Sequence, residues 1–167
     1  MRRKLMAVAA IAAALAAGAA APPPLPITDL KNLPVVTTHP YDESANANAV
    51  VADAFARAKK SHKLVMLDLG GNWCPDCVIL ANVMRLPAMK TFMAAHYEFA
   101  AVDVGQFDKN LQIPARFGFT KRLEGVPTVL VVTPEGKLVN GGHVFALSDA
   151  RNMTPQSLAA YLAEWVK

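Results

Sequence analysis

What is scarce in this 167-residue chain narrows its chemistry. It has two cysteines, Cys74 and Cys77, so a framework of several structural disulfides is excluded. Its four histidines, His39, His62, His96 and His143, are scattered, with no closely spaced pair and no second Cys-x-x-Cys. A metal clamp built on the cysteine pair would lack its two further ligands. Val78 stands where a haem-attachment motif requires histidine. No metal site and no bound organic cofactor is therefore expected.

Basic charge is also sparser than the total suggests. Of 17 Lys and Arg, Arg2, Arg3 and Lys4 open the chain, and the other 14 stand against 13 acidic residues. No basic block is left to hold a nucleic acid, and Lys59, Lys60 and Lys63 read as the solvated end of a helix. A membrane-spanning run is missing too: the apolar stretch Leu5–Ala17 is alanine-rich and shorter than the roughly 20 residues that cross a bilayer. With Met-Arg-Arg-Lys before it and small residues after it, this stretch has the three-part form of an export signal. Residues 1–20 are expected to be a signal peptide, placing the protein in the periplasm or outside the cell without stable membrane insertion. No cysteine near the cleavage region could carry a lipid.

The remaining chain suits one domain with a real core, and it shows no internal repeat. Residues 21–43 carry Pro22, Pro23, Pro24, Pro26, Pro34 and Pro40, a density that blocks helix and suggests an arm or linker. The domain is expected over 44–167. Ser44 is a candidate N-cap for a helix whose apolar face is Val50, Val51, Ala54, Phe55 and Ala58. A buried strand follows over 64–71 and a helix from Pro75, with Pro87 interrupting it or starting another.

A second strand is expected over 98–105. Strand, helix, strand in that order implies a parallel crossover. A short helix near 108–118 precedes two strands over 126–140, joined by Pro134-Glu135-Gly136 in a hairpin. Thr154 with Pro155 then starts a final helix with Leu158, Tyr161, Leu162 and Trp165 as its apolar stripe. The fold class is α/β: a central mixed sheet, parallel first and antiparallel later, flanked by helices.

The cysteine pair carries the chemistry. As a staple it would be poorly placed, because closing a loop of about four residues contributes only about 2 kcal/mol, against nearly 5 for about a hundred. It lies instead where a strand passes into a helix, and free amides and the helix dipole there favour the thiolate of the first cysteine. A reactive dithiol is the preferred reading, with an inert pair as the alternative.

The stretch LVMLDLGGNWCPDC, residues 64–77, resembles the strand and active-site corner of the thioredoxin-fold oxidoreductases. GVPTVLVVTPEGKLV, residues 125–139, resembles that family's later hairpin, and VGQFDKN at 104–110 is similar to a stretch in bacterial envelope members. The resemblance covers about residues 47–167 and implies an exported protein-disulfide oxidoreductase. Cys74, exposed at the helix start, would attack a partner disulfide, Cys77 would resolve the mixed disulfide, and Asp68 would take the proton from Cys77 through water, its other reading being a carboxylate at a strand edge. Val126-Pro127 would be a cis pair facing the cysteines, with the Val126 backbone free to pair with an extended substrate and Trp73 as an apolar lip.

Pro75 and Asp76 would tune the couple. The charge of Asp76 opposes the Cys74 thiolate and favours a reductant. The lysine that often accompanies the buried acid is not evident beside Asp68, where residues 100–102 read Ala-Ala-Val. The loop after Gly105 either shapes the site or is a solvated helix start capped by Asp108, and the 140–153 segment is longer than its thioredoxin counterpart. The partners expected are disulfide-containing envelope proteins and a membrane-bound thiol donor. The rival expectation is a non-catalytic binding or redox-sensing module on the same fold.

Overall fold

The computed structural model describes residues 20–167. The expected signal peptide, apart from Ala20, lies outside them. At the centre is β1, Leu64–Gly70, in which every residue but Leu64 is buried. A strand buried on both faces pairs on both edges and is covered on both sides. Parallel β2, Tyr97–Asp103, lies along one edge with Asp68 opposite Ala101. Antiparallel β3, Thr128–Val132, lies along the other with Asp68 opposite Val129, giving the order β2-β1-β3.

The helices cover the sheet in two layers. On one side, α1 (Ala47–Ser61) packs Val51, Ala54 and Ala58 against Val65, Leu67 and Leu69. On the other, α2 (Pro75–Met84), α3 (Pro87–His96) and α5 (Pro155–Glu164) bury Leu80, Met89, Leu158 and Leu162 with Met66, Val129 and Val131. Proline at the first position of α3 ends α2, and the two helices meet at 85°. A one-turn α4, Gln112–Ala115, follows β2.

Two expectations, the Ser44 cap and the hairpin, need correction, and at Asp108 and in the proline-rich segment one of two open alternatives is realised. Asn46, not Ser44, caps α1, its side chain accepting from Ala49 N at 3.1 Å. Ser44 is engaged with Asp42 in the preceding turn. Asp108 does not cap α4, which begins after Leu111 without a side-chain cap. It accepts instead from Gln106 N inside the loop.

The hairpin is truncated. The turn closes with Gly136 N on Thr133 O, but the return strand is a single bridge, Val132 to Leu138. The reason is Asn140, which is buried and whose side-chain amide takes the place of a backbone. Its Oδ1 accepts from Val131 N at 2.9 Å and its Nδ2 donates to Val129 O at 2.8 Å. The edge of β3 is satisfied without a fourth strand.

The proline-rich arm is docked, not a free linker. Leu25, Ile27, Leu30 and Leu33 pack on the second core layer. Asn82 accepts from Val36 N and Thr37 N at 2.6 and 3.0 Å and donates to Thr37 O at 2.8 Å. Tyr41 ends the arm inside the first core layer, 3% exposed. A chain that prolines keep out of helix leaves its amides free, and here domain side chains take them up.

Candidate active site

The two glycines after β1 build the corner. A Cβ on Gly71 would sit 2.5 Å from Trp73 Nε1, and one on Gly70 would sit 2.7 Å from Cys77 Sγ, so neither position admits a side chain as packed. The chain turns there into α2, for which Cys74 is the N-cap residue and Pro75 the first helical residue. The Cys74 sulfur does what an N-cap oxygen does elsewhere, accepting from Cys77 N at 3.3 Å. It also lies 3.4 Å from Val126 O, to which its thiol donates. The Val126-Pro127 peptide bond is cis.

Both cysteines are free thiols. The expectation of an exposed Cys74 is corrected: it is 3% exposed, packed with Val126 and Tyr41, while Cys77 is fully buried. What stands open is Trp73, 46% exposed, its indole held by Nε1 donating to Gly105 O at 2.8 Å and by Phe107 at 5.8 Å between ring centres. The loop after Gly105 therefore shapes this flank of the site. Arg122 lies over the Phe107 ring, 4.2 Å from its centre.

The two sulfurs differ in acidity. Hydrogen bonding with the Cys77 side chain, aided by the amides of Cys77 and Asp76, holds the Cys74 thiol below its ordinary value. Burial and the charge of Asp76 work the other way without prevailing. Cys77 is driven far up, first by its hydrogen bond with Cys74, then by burial and the charge of Asp68. Of the two, Cys74 is the sulfur that ionises more readily.

Asp68 sits 1% exposed in β1, and burial pushes its carboxyl up to about 7. Its hydrogen-bond partner, missed from the sequence, is Tyr41, whose hydroxyl donates to Asp68 Oδ1 at 2.9 Å and lowers that value somewhat. A second missed residue is Arg151, in the 3₁₀ turn Ala150–Asn152. Its Nε donates to both oxygens of Asp76 at 3.0 Å, its Nη2 donates to Oδ2, and its backbone N donates to Oδ1 at 2.8 Å. Asp76, 2% exposed, thus points away from an unopposed role between the sulfurs and into an ion pair.

The structure brings together Cys74, Cys77, Asp68, Val126 and Pro127, sets Trp73 at the rim and turns Asp76 toward Arg151. Among the described residues, no group of three or more His, Cys, Asp or Glu is arranged to hold a metal ion. A signal for Tyr41 existed in the sequence: a carboxylate in an apolar strand needs a partner, and no cation was near it.

Residues 46–134, more than half of the chain, match the sequence model of the thioredoxin-like family. A disulphide isomerase from Xylella fastidiosa Temecula1 is a structural neighbour with a TM-score of 0.68 and 36% identity, over 75% of this chain and 95% of that one. A DsbH oxidoreductase aligns at 21% identity over 59% of this chain and 78% of its own, with a TM-score of 0.42. No curated protein sequence matches the chain. With a Cys-x-x-Cys pair at the strand-to-helix corner and a family match running through it, the chain belongs to the thioredoxin-like family of thiol-disulfide oxidoreductases.

Proposed function

We propose that the protein is exported and reduces disulfides of envelope proteins by dithiol-disulfide exchange. The observation that carries the chemistry is the contrast between the two sulfurs: Cys74 at the helix cap with its thiol held down, Cys77 beneath it with its thiol held up. Cys74 thiolate attacks a substrate sulfur, the substrate disulfide breaks, and a mixed disulfide forms. Cys77 loses its proton toward Asp68 and attacks Cys74, releasing the substrate dithiol and leaving a Cys74-Cys77 disulfide. A membrane-bound thiol donor returns the two electrons.

The Val126 backbone beside Cys74 offers an extended substrate segment a place to pair, and Trp73 offers it an apolar lip. The charge of Asp76, paired with Arg151, works against the Cys74 thiolate and so toward a reductant, while the hydrogen bonds that hold the Cys74 thiol down work toward an oxidant. Export is supported by the opening Met-Arg-Arg-Lys and the alanine-rich run after it.

Insulin reduction with a dithiol donor tests this: many turnovers are expected, and Cys77→Ser should instead accumulate envelope proteins trapped on Cys74. A single turnover, or no trapped adduct, would favour a binding or sensing module. The name of the 36%-identical neighbour favours a second reading, disulfide isomerisation, in which the same attack by Cys74 ends with no net electron transfer. Refolding of a scrambled disulfide protein without added reductant separates the two.

A further inference from the structure

Tyr41 reaches the site from outside the segment that matches the family, which begins at residue 46. Asn72, two residues before Cys74, grips it from both sides. Tyr41 N donates to Asn72 Oδ1 at 3.0 Å, and Asn72 Nδ2 donates to Tyr41 O at 2.9 Å. The ring is thereby fixed with its hydroxyl on Asp68 Oδ1 at 2.9 Å.

The other neighbour of that hydroxyl is Cys77. A Cβ on Gly70 would collide with the Tyr41 oxygen and lie 2.7 Å from Cys77 Sγ, so hydroxyl and sulfur flank one point that only glycine leaves vacant. A phenol donates and accepts at the same time, which a carboxylate or an ammonium group cannot do. Burial, then the charges of Asp68 and Cys77, keep Tyr41 itself protonated, so it passes a proton on without ending as an anion.

We propose that the Tyr41 hydroxyl bridges Cys77 to Asp68 and relays the proton of the resolving thiol, making the N-terminal arm part of the exchange site. The inference rests on the exchange reading above. In the step, the Tyr41 hydroxyl proton passes to the Asp68 carboxylate as the Tyr41 oxygen takes the proton of Cys77. The Cys77 electron pair forms the bond to Cys74 sulfur, the bond from Cys74 to substrate breaks, and the substrate sulfur leaves as a thiolate. A cavity of about 250 Å³ that Asp68 shares with Pro40, Met84, Arg85, Lys90 and Phe99 offers the proton a way out while substrate covers the cysteines.

The test uses the reduced purified protein and an aromatic disulfide whose released thiolate is coloured. The first equivalent reports attack by Cys74 and the second reports attack by Cys77. In Tyr41→Phe the first phase should be unchanged. The second should slow about tenfold near neutral pH, its acid limb moving up by about one pH unit because the carboxylate loses a hydrogen bond to its charged form. Part of the deficit should persist above that limb, where Asp68 is ionised in both proteins, because the path between Cys77 and Asp68 is gone.

Adding Tyr41→Phe to Asp68→Asn should slow the second phase no further. A deficit that vanishes above the limb, an unmoved limb or additive effects in the double variant would overturn the relay. Should Tyr41→Phe fail to fold, Asn72→Ala, which loosens the ring without removing it, decides by the same readouts: slowing that persists above an upward-shifted limb supports the relay, and an unmoved limb or a deficit that vanishes above it overturns the relay. If the unmodified protein releases no second equivalent, the exchange reading fails and the relay with it.

Discussion

Asp68 and Asp76 lie eight positions apart in one βα unit, and both are buried, at 1% and 2% exposure. One meets a neutral hydroxyl, the other a guanidinium with two of its nitrogens and the adjoining backbone amide. A buried carboxylate without a cation gives up part of its charge, and Asp68 does so, its carboxyl rising to about 7. Asp76 is instead held in an ion pair with Arg151 and becomes a fixed part of the frame. The difference separates an acid on a neutral hydroxyl from one fixed in an ion pair.

Removing the charge from Asp68 is expected to have the largest effect. Asp68→Asn should slow resolution by Cys77 by about 100-fold or more near neutral pH, because the proton acceptor is gone. The same variant should be more stable. The carboxyl sits at about 7 in the fold against 3.8 ordinarily, so the folded state holds the proton more tightly. Its contribution to stability is full below about 4 and is lost as pH rises to about 7. Asp68→Asn should therefore gain up to about 4 kcal/mol over the native protein above pH ~7, the gain fading below pH ~4. Denaturant unfolding across that range checks this, and a gain independent of pH would remove the contrast between the two acids.

Taking the cation from Asp76 is expected to come next. Arg151→Ala leaves a buried charge unpaired, yet the arginine side chain is 53% exposed and water can enter where it stood. The loss of stability should therefore be smaller than that of breaking a wholly buried pair. With the Asp76 charge unopposed, the Cys74 thiol should rise and the couple become more reducing. Thiolate absorbance against pH and equilibration with a glutathione buffer read the two changes. No change in either would mean that Arg151 has only a packing role.

The smallest effect should come from Asp76→Asn, which keeps an oxygen for the 2.8 Å bond from Arg151 N and removes only charge. The Cys74 thiol should fall and the couple become more oxidising, by on the order of 30 mV for one pKa unit. Shifts of the same sign in Asp76→Asn and Arg151→Ala would break the pairing of these two residues as the source of tuning.

Much of the fold was legible because its signals are local. Leu64–Gly70 reads as a buried strand from its apolar run, and Cys74-Pro75 reads as a helix start. Thr154-Pro155 caps α5 as expected, with Thr154 accepting from Ser157 N. The hairpin misled because Leu138 and Val139 after the turn read as the start of a full return strand, whereas a single side chain, Asn140, ends the pairing. Arm and linker stayed undecided because proline density reports only that helix is blocked. It says nothing of which side chains elsewhere will take up the freed amides.

Composition and spacing by themselves determined that Cys74 and Cys77 are a lone pair at a strand-to-helix corner, that no other cysteine or closely spaced histidines join them, and that Asp68 stands in an apolar strand needing a partner. These are properties of neighbouring residues, set by hydrophobic period, helix capping and ligand count. Only the tertiary structure decided which partner each acid obtained. Tyr41 is 27 positions from Asp68, and Arg151 is 75 from Asp76. Such pairings depend on how the arm and the 140–153 segment pack back onto the sheet, and it is burial together, not separation along the chain, that gives one acid a hydroxyl and the other a guanidinium.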